Sequence, residues 1–230
     1  MFSASYLGYY VLAGVLSLVG MLVSQRLKAK FHQYSQIGTR SGMSGAEIAA
    51  AMLRQSNISD VKIVEGHGFL TDHYNPLTKT VSLSADVFHG RSISAAAVAA
   101  HECGHAVQHA RAYSMLQVRS ALVPVVQFAS MAQQWLLVIA LIGSIPSLIM
   151  LTIIAFSVTT AFSLVTLPVE FDASNRALAW LDKSGIMQGK EHDGAKDALW
   201  WAAMTYVSAA LSSLVMLVYL VLRYVSANNE

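Results

Sequence analysis

The sequence predicts a mainly α-helical multi-pass membrane protein with four transmembrane helices and a small cytoplasmic α+β segment. Three observations carry that reading. Of 230 residues, 55% belong to the AVILMFWYC set and only 12% are charged, against about 25% in an average soluble domain. Mean hydropathy is +0.49. The few charges are clustered, which leaves long runs with none: up to Gln25, between Arg119 and Glu170, and from Ala198 to Leu222. So few polar residues cannot cover a soluble surface, and the chain is too apolar for disorder. A net charge of +2 is too small to argue for nucleic acid. One cysteine excludes an internal disulfide framework and a Cys-rich structural zinc site.

A helix needs about 20 apolar residues to cross the hydrocarbon of a bilayer. The first and last runs hold one span each, near 6–25 and 199–222. The middle run is long enough for two, near 121–142 and 147–167, with Gly143-Ser144-Ile145-Pro146 as the turn. The chain then divides into an anchor at 1–25, a cytoplasmic α+β segment at 26–120 and a transmembrane hairpin at 121–167. A second cytoplasmic segment at 168–198, a last span at 199–222 and a tail at 223–230 complete it. Basic loops stay in the cytoplasm, and 26–120 with 168–198 carry fourteen of the fifteen Lys and Arg residues. Both termini are therefore expected outside. Met1–Gln25 has its charges after the apolar stretch, so it reads as an uncleaved anchor rather than a signal peptide. Trp200, Trp201 and Tyr206 fit an interfacial aromatic belt.

Within 26–120, Ser44-Gly45-Ala46-Glu47 is a capping-box pattern that opens a helix to about Gln55. Asp60–Glu65 and Lys79–Ser84 alternate as strands, the first with Val61 and Ile63 on one face, the second with Val81 and Leu83. Gly66, Gly68 and Asn75-Pro76 supply turns between them. A small sheet of about three strands follows. Ser92 or Ser94 then caps an Ala-rich helix to about Ala110.

That helix carries His101-Glu102-Cys103-Gly104-His105, an H-E-x-x-H motif. Positions i and i+4 share a helix face, so both imidazoles can reach one metal, and Glu102 can reach a water held there. Ala97 and Gly104 are small enough for a close approach on that face. A catalytic zinc usually takes three protein ligands and one open position. The H-E-x-x-H-x-x-G-x-x-H pattern is excluded, because Gln108 and Arg111 stand where its Gly and His would be. His109 is one turn too far to join both imidazoles on one ion and at most lines the groove. Cys103 points away from the histidine face and reads as a small buried filler. The better third ligand is Glu170, the first charge after the long uncharged run, because the hairpin leaves from the end of the H-E-x-x-H helix and returns to the same side. Asp172 is a rival in the same turn. His67, His73, Tyr74, His89, Arg91, Arg176 and His192 are all chemically able to stabilise an oxyanion.

His101 to His109 and Leu167-Pro168-Val169-Glu170-Phe171-Asp172-Ala173-Ser174 resemble the signatures of the YugP-like membrane zinc metallopeptidases. So do Thr71–Pro76, Lys79–Ser84 and His89–Ser92, and the resemblance covers nearly the whole chain. It implies one Zn²⁺ per chain, His101 and His105 as ligands, Glu102 as base, and a bacterial plasma membrane as the location. The Glu170 segment is also similar to the glutamate helix of HtpX-like and prenyl-protein peptidases, where an Asp four residues after the Glu supports a zinc-bound His. Here that position is Ser174. Two histidines with a glutamate form a gluzincin-type core. Similarity to those enzymes further implies a strand beside the active-site helix that aligns extended substrate by edge pairing; Thr80–Ser84 is the expected strand, with a plain core strand as the alternative.

The expected function is a membrane-embedded zinc endopeptidase acting on proteins or peptides, membrane proteins among them, at the cytoplasmic face. Its alternative is a catalytically silent metallopeptidase-like adaptor or chaperone. A solute carrier fits less well, because the apolar runs lack intramembrane charges. The lipid bilayer is the other expected partner.

Overall fold

A computed structural model describes residues 2–68, 71–143 and 146–228. It is mainly helical, with one small sheet. Chain order is α1 (Phe2–Ser35), α2 (Gly45–Gln55), β1 (Lys62–Gly66), β2 (His73–Asn75), β3 (Thr80–Ser84), α3 (Ala85–Phe88), α4 (Ile93–Ala110), α5 (Ser114–Gly143), α6 (Pro146–Lys183) and α7 (Lys190–Asn228). Helices α1, α5, α6 and α7 are each long and apolar enough to cross a membrane. All four exceed the expected spans. The third span was expected to end at residue 167, yet α6 runs through Pro168 to Lys183, because strong helix formers such as Ala177, Leu178 and Leu181 follow it. Ser144 and Ile145 of the expected turn lie outside the described residues.

The contacts divide the chain into two compact units. One comprises residues 1–24, 118–167 and 205–230. Its buried centre is small: Phe156, Met216 and Leu220, with Tyr9, Leu12 and Leu16 packed around them. Thr159 Oγ1 donates to Gln133 Oε1 at 3.1 Å, a polar link between α5 and α6. The outward side chains are apolar instead, including Leu7, Val11, Leu18 and Leu22 on α1 and Leu214, Val218 and Leu222 on α7. Apolar surface of that extent suits lipid rather than water.

The other unit comprises residues 25–117 and 168–204. It has a conventional core in which Ile48, Met52, Val81, Leu83, Ala100, Cys103, Leu181 and Met187 are almost fully buried. Helix α2 starts as its sequence dictates. Ser44 Oγ accepts from the Glu47 N–H at 3.3 Å, and the Glu47 carboxylate accepts from the Ser44 N–H at 2.7 Å. Ser44→Ala removes one half of that box and is expected to destabilise the fold by about 1 kcal/mol, readable as a lowered midpoint in denaturant. Ser92 Oγ likewise accepts from the Ala95 N–H and starts α4.

The sheet has the order β1–β3–β2. β3 pairs parallel with β1 (Ile63 opposite Val81) and antiparallel with β2 (Tyr74 opposite Val81). The expectation that Thr80–Ser84 is a free edge is therefore corrected. Both of its edges are taken, and Val81 and Leu83 point into the core. β2 and β1 are the edge strands, and β2 is the one that lies against α4.

Candidate metal centre

Gly104 sets how close α4 comes to α6. A Cβ at that position would lie 2.5 Å from the Ala173 carbonyl oxygen and 3.1 Å from the Ala173 Cα, so only glycine allows this contact. The contact brings residues 101 and 105 of α4 beside residues 170 and 174 of α6. Glu170 Oε2 lies 3.3 Å from His101 Nε2 and 3.6 Å from His105 Nε2. One ligand atom from each of His101, His105 and Glu170 falls within 4.8 Å of the other two. The imidazole rings stand nearly edge-on, with centroids 4.8 Å apart.

Two imidazoles and a carboxylate are a donor set that zinc accepts. Bonds of about 2.0–2.2 Å in a tetrahedron place neighbouring ligand atoms roughly 3.4 Å apart, so the spacings to Glu170 fit such an ion. Two of the three residues are buried, Glu170 at 2% exposed and His105 at 7%, while His101 is partly exposed. Burial works to lower the His105 pKa. The hydrogen bond and charge of Glu170 outweigh it, helped by the Glu102 charge and Gln108, and the net shift is upward. A pocket that favours a positive charge on an imidazole favours a cation in its place.

Each imidazole is held from behind. His101 Nδ1 lies 3.1 Å from Ser174 Oγ, and His105 Nδ1 lies 3.0 Å from Gln108 Oε1. Asp172, the rival ligand, faces elsewhere. It accepts from Gln108 Nε2 at 2.7 Å and from Arg176 Nε at 2.5 Å. Ser174 stands where the similar peptidases carry a histidine-supporting Asp and faces His101, whereas Gln108 was not identified from sequence as a partner of His105. The signal was present in the helical spacing: 108 follows 105 by three residues, and 174 follows 170 by four.

Glu102 is buried beside His101. Cys103 faces away, with Sγ 3.7 Å from the Ala49 carbonyl oxygen, and burial followed by the Glu102 charge pushes its thiol pKa up. His109 Nδ1 lies 2.7 Å from the Tyr74 hydroxyl, which ties the end of α4 to β2. Several residues able to stabilise an oxyanion are engaged elsewhere. His89 faces Glu65, Arg91 pairs with Glu47, and Arg176 pairs with Asp172. His73 Nδ1 lies against the Thr71 carbonyl.

Comparison with known proteins agrees with this chemistry. A family model described as "Putative neutral zinc metallopeptidase" matches residues 9–225. The chain is 43% identical over 206 residues to "Putative membrane protease YugP" of Bacillus subtilis (strain 168), which covers 89% of this chain and 91% of that relative. No solved structure matches the chain. With nearly its whole length matched, the chain belongs to this family of neutral zinc metallopeptidases, and its metal is Zn²⁺.

Proposed function

We propose that this membrane protein is a gluzincin-type zinc endopeptidase that cuts peptide bonds at the cytoplasmic membrane face. His101, His105 and Glu170 hold the metal in this reading, and Glu102 is the general base. The observation that supports it most is the convergence of those three ligand atoms within 4.8 Å from two separate helices. Bound Zn²⁺ would polarise the scissile carbonyl and lower the pKa of the attacking water. The Glu102 carboxylate takes a proton from that water and delivers it to the leaving amine. Cys103 is buried in the core and turned away from the histidines, so its thiol offers no nucleophile, which favours direct attack by water over a covalent enzyme intermediate. β2 is the edge strand beside α4 and is the one available to align an extended substrate. The clustering of Lys and Arg in 26–120 and 168–198 supports a cytoplasmic site with both termini outside.

Metal content of the detergent-purified protein tests this. About one zinc per chain is expected for the wild type and for Asp172→Ala, with loss in His105→Ala and Glu170→Ala. No zinc in reconstituted wild type would refute the reading, and loss through Asp172 but not Glu170 would reassign the third ligand.

A further inference from the structure

Gln108 is fully buried, and both ends of its amide have partners. Its Nε2 lies 2.8 Å from the Val169 carbonyl oxygen and 2.7 Å from Asp172 Oδ2. Both partners can only accept, so the NH₂ group must face them. Turning the amide over would set its oxygen against a carbonyl and a carboxylate. Oε1 therefore faces His105 Nδ1, 3.0 Å away. An amide oxygen carries no hydrogen, so the imidazole must supply it. His105 Nδ1 therefore carries a hydrogen, and Nε2, 3.6 Å from Glu170 Oε2, is the nitrogen left to offer its lone pair once a metal ion takes the place of a proton there.

We infer that Gln108 and Asp172 are positioning residues that fix the tautomer and ring orientation of His105, with Asp172 acting through Gln108. The inference rests on His105 being a metal ligand. The support extends outward from Asp172. Arg176 Nε donates to it, the Arg176 guanidinium lies 5.8 Å from the Tyr113 ring centre, and the Tyr113 N–H donates to the Gln108 carbonyl at 2.9 Å. The chain of contacts begins on the Gln108 side chain and closes on its own backbone, which leaves the amide little freedom. In the other tautomer, His105 would aim an N–H at the metal and a lone pair at the amide oxygen. His101 is treated differently, because the Ser174 hydroxyl it faces can donate or accept.

The test is Zn²⁺ affinity of the full chain in detergent, by competition with a chromophoric chelator, beside the melting temperature of the metal-free protein. Gln108→Leu is expected to weaken Zn²⁺ binding by about 10- to 100-fold. Gln108→Glu keeps an acceptor oxygen toward His105 Nδ1, and Asp172→Ala leaves the Val169 carbonyl to hold the amide, so each should lose less than Gln108→Leu. A space-filling role alone predicts losses that only follow the melting temperature. Wild-type affinity in Gln108→Leu, or losses in all three variants that only follow the melting temperature, would overturn the inference while leaving the ligand assignment intact. A wild type without Zn²⁺, or a His105→Ala protein that keeps it, would remove the ligand assignment and this inference with it.

Discussion

Glu102→Gln is expected to slow peptide hydrolysis by about 10²- to 10⁴-fold, the range for loss of a general acid–base group. Its zinc content and melting temperature should match the wild type. The amide has the size of the carboxylate and cannot take a proton from water. Glu102 is also apart from the three-atom cluster of His101, His105 and Glu170, so the metal has no reason to leave. The measurement is turnover of a quenched-fluorescence casein or peptide in detergent, with metal analysis of the same sample. Full activity would remove Glu102 from the mechanism. A cellular role that survives the substitution would favour the silent-adaptor alternative.

Gly104→Ala is expected to destabilise the fold more than loss of the Ser44 cap does. The added methyl would sit 2.5 Å from a backbone oxygen, and neither helix backbone can move aside as a side-chain tip could. Overpacking of this kind costs about 1–3 kcal/mol, occasionally more. The strain also falls where it affects chemistry, because Gly104 lies between His101 and His105 and Ala173 lies between Glu170 and Ser174. Thermal unfolding and Zn²⁺ affinity should fall together. A Gly104→Ala protein that melts and binds zinc as the wild type does would refute the close contact between α4 and α6.

Much of this was readable from the sequence because the signals were local. The Ser44/Glu47 capping box, the serine-capped helix with two histidines at i and i+4, and the uncharged runs each declare themselves within a few turns of helix. The order of the strands did not. β3 alternates as an edge strand does, and nothing within five residues says that β2 will cover its second edge. β2 itself, at three residues, is too short to show a period and reads as part of the Asn75-Pro76 turn. Helix ends were also understated, because the apolar pattern stops at the membrane boundary while helix-forming residues continue beyond it. The support of His105 escaped for another reason. Gln108 mattered in the sequence only as a residue that breaks a longer metal motif, and its role depends on Val169 and Asp172, which the hairpin returns from far along the chain.

That long return has a consequence for biosynthesis. The ribosome makes both histidines and the glutamate between them well before Glu170, and the two hydrophobic segments of the hairpin come in between. A nascent or truncated chain ending before residue 170 carries two imidazoles with no carboxylate to complete the set. If His101, His105 and Glu170 hold the metal as proposed, the site comes together only after both hydrophobic segments have been made.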